Sequence, residues 1–220
     1  MPIRRTSRAN QKKWLKKKEH LKILDLGCSN VDYWPEANHF ADIHNFAEHF
    51  KNLNLKFTKI KPDEKLPFND KEFDYVICSH VIEHVNDPVK FKSEIERIGK
   101  SGYIELPTKL NDNMVFGCDE EEYGHKWWFE FDDDNQKLVY AKRVNALEKF
   151  VSVGTVFKLT EIFQDSFTIQ CYWSEDIHLE ERADYKSDKK ISFLTLVRKY
   201  YSKKIRMRIS IIKSFFRNFF

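Results

Sequence analysis

Three histidines and one glutamate carry the clearest chemical pattern in the chain. His80, Glu83 and His84 read H-x-x-E-H at helical spacing, and His125 follows downstream in GHKWWFE. Imidazole exchanges a proton near neutral pH, so His80, His84 and His125 are candidate catalytic groups for a step that takes a proton from a hydroxyl. A carboxylate among imidazoles is also a metal-ligand set. Oxygen-rich sites suit magnesium, and each added imidazole shifts the preference toward softer metals. The plainer alternative is that Glu83 caps the start of a helix. The expectation is that no metal is held, with Glu83, His84 and His125 as the residues that would hold one. Upstream, ILDLGCSN (residues 23–30) sets Asp25 and Gly27 at a tight turn after an apolar run, where a ligand can approach the backbone closely. Asp42 ends the next apolar run, where a carboxylate can accept both ribose hydroxyls of a nucleoside or, equally well, cap a helix.

These side chains need a frame. Lys22–Gly27, His39–Ile43, a weaker Phe57–Lys61, Phe73–Ser79 and Gly102–Leu106 are short, nearly continuous apolar runs, the pattern of parallel strands covered on both faces. Between the last two lies a helix with Asp87 as N-cap, Pro88 at its first position and Gly99 at its end. Phe91, Ile95 and Ile98 repeat at helical spacing and should face the sheet. Strand, helix, strand in that order makes a right-handed crossover. The stretch from Asn30 to Phe40 is too short for a full helix, so the first crossover must be abbreviated. Trp127–Phe131, an acidic turn and Lys137–Lys142 read as a β-hairpin. Residues 144–165 look helical, and Phe167–Trp173 alternates like a late strand.

Residues 66–88, LPFNDKEFDYVICSHVIEHVNDP, followed by a helix and KSGYIELPT, closely resemble the type 11 family of class I S-adenosylmethionine-dependent methyltransferases. The resemblance covers roughly residues 20–110, and LDLGC fits the family's glycine-rich strand end. It implies an α/β fold, a Rossmann-like doubly wound and mostly parallel sheet, here with a β-hairpin insertion and a C-terminal basic amphipathic helix. It also implies S-adenosylmethionine as cofactor. Asp25, Gly27 and Cys28 would line its methionine part and Asp42 its ribose. Asp63, Glu64 and Leu66 would surround the adenine, with His80 near the reactive methyl. The chain departs from the family at Ser29 and Val31, where further glycines are usual, and at Pro62, where the adenine acid is usual. The H-x-x-E-H segment with its later His is similar to the E-x-x-E-H metal cluster of small-RNA 2′-O-methyltransferases and some ubiquinone-pathway O-methyltransferases, with His80 replacing the first Glu. Tyr123, Trp127 and Trp128 around His125 fall where the acceptor pocket usually lies, or else cover the sheet.

The net charge of +4 hides an uneven distribution. Residues 1–22 hold nine Lys or Arg and one acid, and residues 189–220 hold ten and no acid. Residues 23–188 hold 19 bases against 33 acids, a net of −14. Three parts follow: a basic lead-in over 1–21, a methyltransferase domain over 22–188, and a basic amphipathic extension over 189–220. In the last, Ile205, Ile209, Ile212, Phe216 and Phe219 recur among Lys and Arg, a pattern that adsorbs to an anionic membrane surface. Cys28, Cys78, Cys118 and Cys171 form no CxxC pair, which argues against a cysteine zinc site and suits reduced thiols in a cytoplasm. No secretory leader or apolar span is visible, so the expected location is cytoplasmic, peripheral at the inner membrane face. The resemblance extends to enzymes of surface-polysaccharide biosynthesis, which implies O-methylation of a sugar hydroxyl on a glycan or its precursor. The rivals are a small-molecule or RNA 2′-O-methyltransferase, with nucleic acid as partner, and a non-catalytic module that kept the fold.

Overall fold

Alternation of side chains along each strand decides how the chain packs. In the computed structural model, which describes residues 3–112, 124–143 and 167–182, consecutive buried strand residues point to opposite faces of one sheet. Leu24, Leu26, Val76, Cys78, Ile104 and Leu106 enter one apolar cluster. Ile23, Phe40, Tyr75, Ile77 and Tyr103 enter the other. Both faces are covered, which is why these strands lack the polar alternation of a half-wetted sheet.

The elements run β1 (Arg4–Arg5), α1 (Arg8–Leu15), β2 (Ile23–Leu26), β3 (His39–Asp42), α2 (Ala47–Asn52), β4 (Lys56–Lys59), β5 (Tyr75–Ser79), α3 (Pro88–Ile98) and β6 (Ser101–Pro107). They continue with α4 (Lys109–Asp112), β7 (Trp127–Asp132), β8 (Lys137–Lys142), β9 (Thr168–Ser174) and β10 (Leu179–Glu181). The main sheet has seven strands in the order β1-β9-β6-β5-β2-β3-β4. Strands β2 to β6 within it are parallel, while β9 and β1 are antiparallel additions at one edge. This is the Rossmann-like α/β fold expected from the sequence. The hairpin β7–β8 is antiparallel and, with β10 parallel to β8, makes a second sheet of three strands.

Helix α3 has the termini its sequence dictates. The Asp87 carboxylate accepts from the backbone N–H of Val89 and Lys90 at 3.0 and 2.9 Å, and Gly99 closes the helix. Ile95 and Ile98 are fully buried on the first face, beside Phe129, Phe131, Leu138 and Tyr140 of the hairpin. On the second face no helix joins β2 to β3; residues 27–38 form only turns. Helix α1 helps to cover that face instead: Leu15 joins its core, and the Tyr75 hydroxyl donates to Gln11 Oε1 at 2.5 Å. The segment before residue 22, read as a lead-in, thus supplies an edge strand and a covering helix. The helix expected over 144–165, the extension over 189–220 and Cys118 lie outside the described residues, all of which fall within one compact unit, Met1–Tyr185. Among the described residues no helix is long and apolar enough to cross a membrane.

Candidate functional site

Parallel strands on the two sides of a reversal in strand order leave a crevice at their carboxyl ends. Here the chain leaves β2 toward β3 and β4, then returns to β5 on the other side of β2, so the crevice opens beyond Leu26 and Ser79. A cleft of about 480 Å³, counting the part open to solvent, lies there, lined by Arg8, Asp25, Gly27, Ser29, Asp32, Trp34, Ser79 and His80. Gly27 has φ +82, and a Cβ on it would meet Val81 Cγ2 at 2.2 Å, so the turn closes against the β5 side only because residue 27 has no side chain. The loop needs no further glycine. Ser29 Oγ accepts from the N–H of Val31 and Asp32 at 3.2 and 2.7 Å, and Asp25 Oδ2 accepts from Trp34 N–H at 2.7 Å.

The charges in the cleft are arranged as pairs. Burial pushes the Asp25 carboxyl up to about 7, against the Trp34 N–H and the Arg8 guanidinium, which pull it down. Arg8 reaches Glu105 at 3.4 Å and Asp32 at 3.3 Å, with its guanidinium carbon 5.0 Å from the Trp34 ring centre. His80 has φ +55, a left-handed conformation that costs a non-glycine residue about 1–2 kcal/mol, and its N–H donates to Glu105 O at 2.8 Å. Its Nδ1 lies 3.3 Å from Glu83 Oε1 and its Nε2 3.5 Å from Glu105 Oε1. Burial disfavours the imidazolium, but the two carboxylates outweigh it and push His80 up to about 10. The Tyr103 hydroxyl also donates to Glu105.

Behind His80 lies a second cluster. Candidate ligand atoms of Glu83, His84 and His125 fall within 4.8 Å of one another, and the His84 and His125 rings stand nearly perpendicular with centroids 4.6 Å apart. Glu83 is fully buried, and among the described residues its carboxylate has one close cationic partner, His80, whose Nδ1 lies 3.3 Å from Oε1. Burial raises the Glu83 pKa, but the three surrounding imidazoles of His80, His84 and His125 bring it below the ordinary value.

The remaining sequence candidates are spread more widely. Asp42 ends β3 nearly buried, accepting from His44 N–H at 2.6 Å, and burial raises its pKa. The Cys28 thiol faces the core beside Trp34, so only its backbone reaches the turn. Leu66 lies in the main core. The Asp63 carboxylate accepts from the N–H and side-chain amide of Asn86, and Glu64 pairs with Lys61 at 3.3 Å on the surface. Trp127 donates its indole N–H to Val85 O at 2.8 Å and packs edge-on to Tyr140, while Trp128 is buried under Lys109. These two indoles cover the sheet rather than offer open faces; Tyr123 lies outside the described residues. Sequence reasoning missed Arg8, Asp32, Trp34, Ser79 and Glu105. Arg8 reaches the cleft because Arg4 and Arg5 pair with Tyr172 and Cys171 of β9, a contact no local pattern announces.

Residues 18–104 match the family described as a methyltransferase domain. An uncharacterized protein of Methanocaldococcus jannaschii is 30% identical over 167 residues, 70% of this chain and 71% of that protein. A tRNA U34 carboxymethyltransferase of Campylobacter curvus is 29% identical over 105 residues, 41% of this chain, which spans 35% of that relative's length. Among solved structures, the putative methyltransferase complexed with the Trm112 activator of Haloferax volcanii aligns with TM-score 0.45 and 16% identity, over 76% of this chain and 94% of that one.

Proposed function

The chain belongs to the class I S-adenosylmethionine-dependent methyltransferases, and on that premise we propose that it methylates an oxygen acceptor, a sugar hydroxyl of a glycan or glycan precursor. The cleft fits the cofactor's chemistry. Asp25 offers a buried carboxylate for the ammonium group of the methionine part, Arg8 a guanidinium for its carboxylate, and Gly27 a bare backbone for close approach. Asp42, at the end of the neighbouring strand, is the residue for the ribose. Asp63, Glu64 and Leu66 stay the family-derived choice for the adenine end.

Bound S-adenosylmethionine supplies an electrophilic methyl group on a sulfonium, so the protein's part is to align the acceptor and exclude water. The oxygen-acceptor reading is carried by one observation, the apposition of His84 and His125 beside buried Glu83, one side chain from the cleft. Imidazoles activate a hydroxyl near neutral pH, either by taking its proton or by holding a cation that acidifies it. His80, gripped by Glu83 and Glu105, positions the floor of the cleft. The sugar acceptor rests on the sequence resemblance to polysaccharide-modifying enzymes. A second reading, an RNA acceptor, has support from the tRNA-modifying relative and the basic residues before β2.

Methyl-labelled cofactor offered with lipid-linked glycans, nucleotide sugars and bulk RNA in separate reactions tests this. Label in an alkali-stable sugar ether supports the glycan reading. Label released by ribonuclease replaces it with the RNA reading, and label on nitrogen or carbon removes both.

A further inference from the structure

We propose that Gln170, buried in β9, is a positioning residue of the cofactor cleft: it fixes Arg8 where the guanidinium meets the carboxylate of the cofactor's methionine part. That role rests on the reading of Arg8 as the carboxylate's partner. Gln170 holds the chain on both sides of Ser7, where β1 gives way to α1. Its backbone C=O accepts from Thr6 N–H at 2.9 Å, and its side-chain Oε1 accepts from Arg8 N–H at 2.8 Å. Arg8 is the first residue of α1, so its N–H has no acceptor within the helix. Ser7 caps the helix by accepting from Asn10 N–H and leaves Arg8 N–H to another group. The acceptor therefore comes from a strand 162 positions further along the chain.

Directly opposite Gln170 in the β6–β9 ladder stands Glu105, so the two side chains share one face of the sheet. Glu105 Oε1 takes the other end of Arg8, its Nη1, at 3.4 Å. One register position thus grips Arg8 twice, at its backbone and at its guanidinium, and the side chain held between them lines the cleft. Both gripping residues are buried, Gln170 to 4% and Glu105 to 3% exposure. The second, independent observation is the amide of Gln170 itself. The N–H donated by Arg8 fixes which end of that amide is oxygen, and Nε2 is then buried with no acceptor among the described residues. A buried donor left unpaired is destabilising, whereas an unbranched apolar side chain would fill the space without one. What the amide supplies against that loss is the hold on Arg8. A long arginine loses conformational freedom when it engages a ligand, and fixing its backbone in advance removes part of that penalty from binding. Glu105 adds charge as well as position, so replacing it would change the potential in the cleft. Gln170 is neutral, and replacing it changes position alone.

S-adenosylhomocysteine and methylthioadenosine separate the two ends of the ligand, because the second keeps the nucleoside and the sulfur but lacks the amino-acid part. Calorimetry on the full chain gives the ratio of the two affinities for the parent, Gln170→Met, Arg8→Ala and the double variant. The parent should prefer S-adenosylhomocysteine. Arg8→Ala should cut that preference by about tenfold, and Gln170→Met by about threefold with methylthioadenosine bound as in the parent. Gln170→Met placed in the Arg8→Ala chain should cut it no further, since the glutamine acts through the arginine. Gln170→Asn, which draws the acceptor back by one methylene, should act in the same direction and takes the place of Gln170→Met if that chain does not fold. A preference unchanged in Gln170→Met but lost in Arg8→Ala overturns the role of Gln170 and leaves Arg8 at the carboxylate. Equal weakening of both ligands, or the same loss with and without Arg8, makes Gln170 a support of the fold alone and overturns the role as well. A preference that survives Arg8→Ala overturns the reading of Arg8, and the positioning role falls with it.

Discussion

At Asp25, burial and ligand charge pull in opposite directions. Burial lifts its pKa to about 7, whereas an unfolded aspartate titrates near 3.8. Between those values the folded chain holds the extra proton, so the carboxyl's contribution to stability falls as pH rises from about 4 to 7, by a few kcal/mol at most. A cationic ligand reverses this, because an ammonium beside Asp25 favours the anion. Binding of S-adenosylhomocysteine, which carries the same ammonium group, should therefore release a proton and weaken by up to about tenfold per pH unit below 7. Calorimetry between pH 5.5 and 8 reads this directly. Asp25→Asn should flatten that profile, weaken binding at pH 8 and raise the melting temperature of the ligand-free protein there. A binding constant independent of pH in the parent chain removes Asp25 from the ammonium site. The sequence pointed to Asp25 and Gly27 because a strand that ends in Asp-x-Gly announces a turn. It was silent on Arg8, which lies 17 residues before Asp25 and arrives through pairing with a strand more than 160 residues away.

The turn after β2 works because two elements fit at one point. Gly27 is held at φ +82 with Val81 Cγ2 in the space a Cβ would take. Gly27→Ala adds both a steric clash and a left-handed non-glycine residue, a combined loss of about 2–4 kcal/mol. Val81→Ala in the same chain should recover the clash but not the backbone strain, so the double variant melts between Gly27→Ala and the parent. If the double variant melts no higher than Gly27→Ala alone, the Val81 contact is not what makes glycine necessary. At the other end of the β5 turn, Asp87→Ala removes the acceptor for two N–H groups of α3 and should cost about 1 kcal/mol, read as a lower urea midpoint with unchanged slope. Elements of this kind were legible: apolar runs fixed β2 to β6, and Asp87, Pro88 and Gly99 marked α3. Strand β1 was not, since two exposed arginines have no apolar pattern, and their place comes only from the edge of β9. Nor was β10, three largely exposed residues whose partner is chosen by β8.

On the scale of the whole chain, charge is the organising feature. Residues 23–188 carry a net of −14, whereas residues 189–220 carry ten Lys or Arg and no acid. An acidic middle is repelled by an anionic bilayer, so attraction to one must come from the basic ends, of which residues 189–220 also carry regularly spaced apolar residues. The Ile and Phe of that stretch recur at helical spacing in the sequence, and each Lys or Arg near such a surface contributes about 1 kcal/mol at low screening. We propose that residues 191–220 hold the enzyme at an anionic membrane, where lipid-linked glycans would be within reach. Vesicles containing phosphatidylglycerol should then sediment the full chain, and pure phosphatidylcholine vesicles should not. Raising the salt from 0.1 to 0.5 M shortens the Debye length from about 10 Å to less than half of that and should release most of the protein. A chain ending at Asp188 should stay in the supernatant under all conditions yet bind S-adenosylhomocysteine as before, because the residues lining the cleft lie between Arg8 and His80. Sedimentation of the shortened chain would place the membrane contact on the body instead. Binding of the full chain to neutral and anionic vesicles alike would make the apolar face, not the charge, the source of attraction. Binding to neither would leave those isoleucines and phenylalanines to pack against protein, as a cover for the chain's own core or as a contact between two copies.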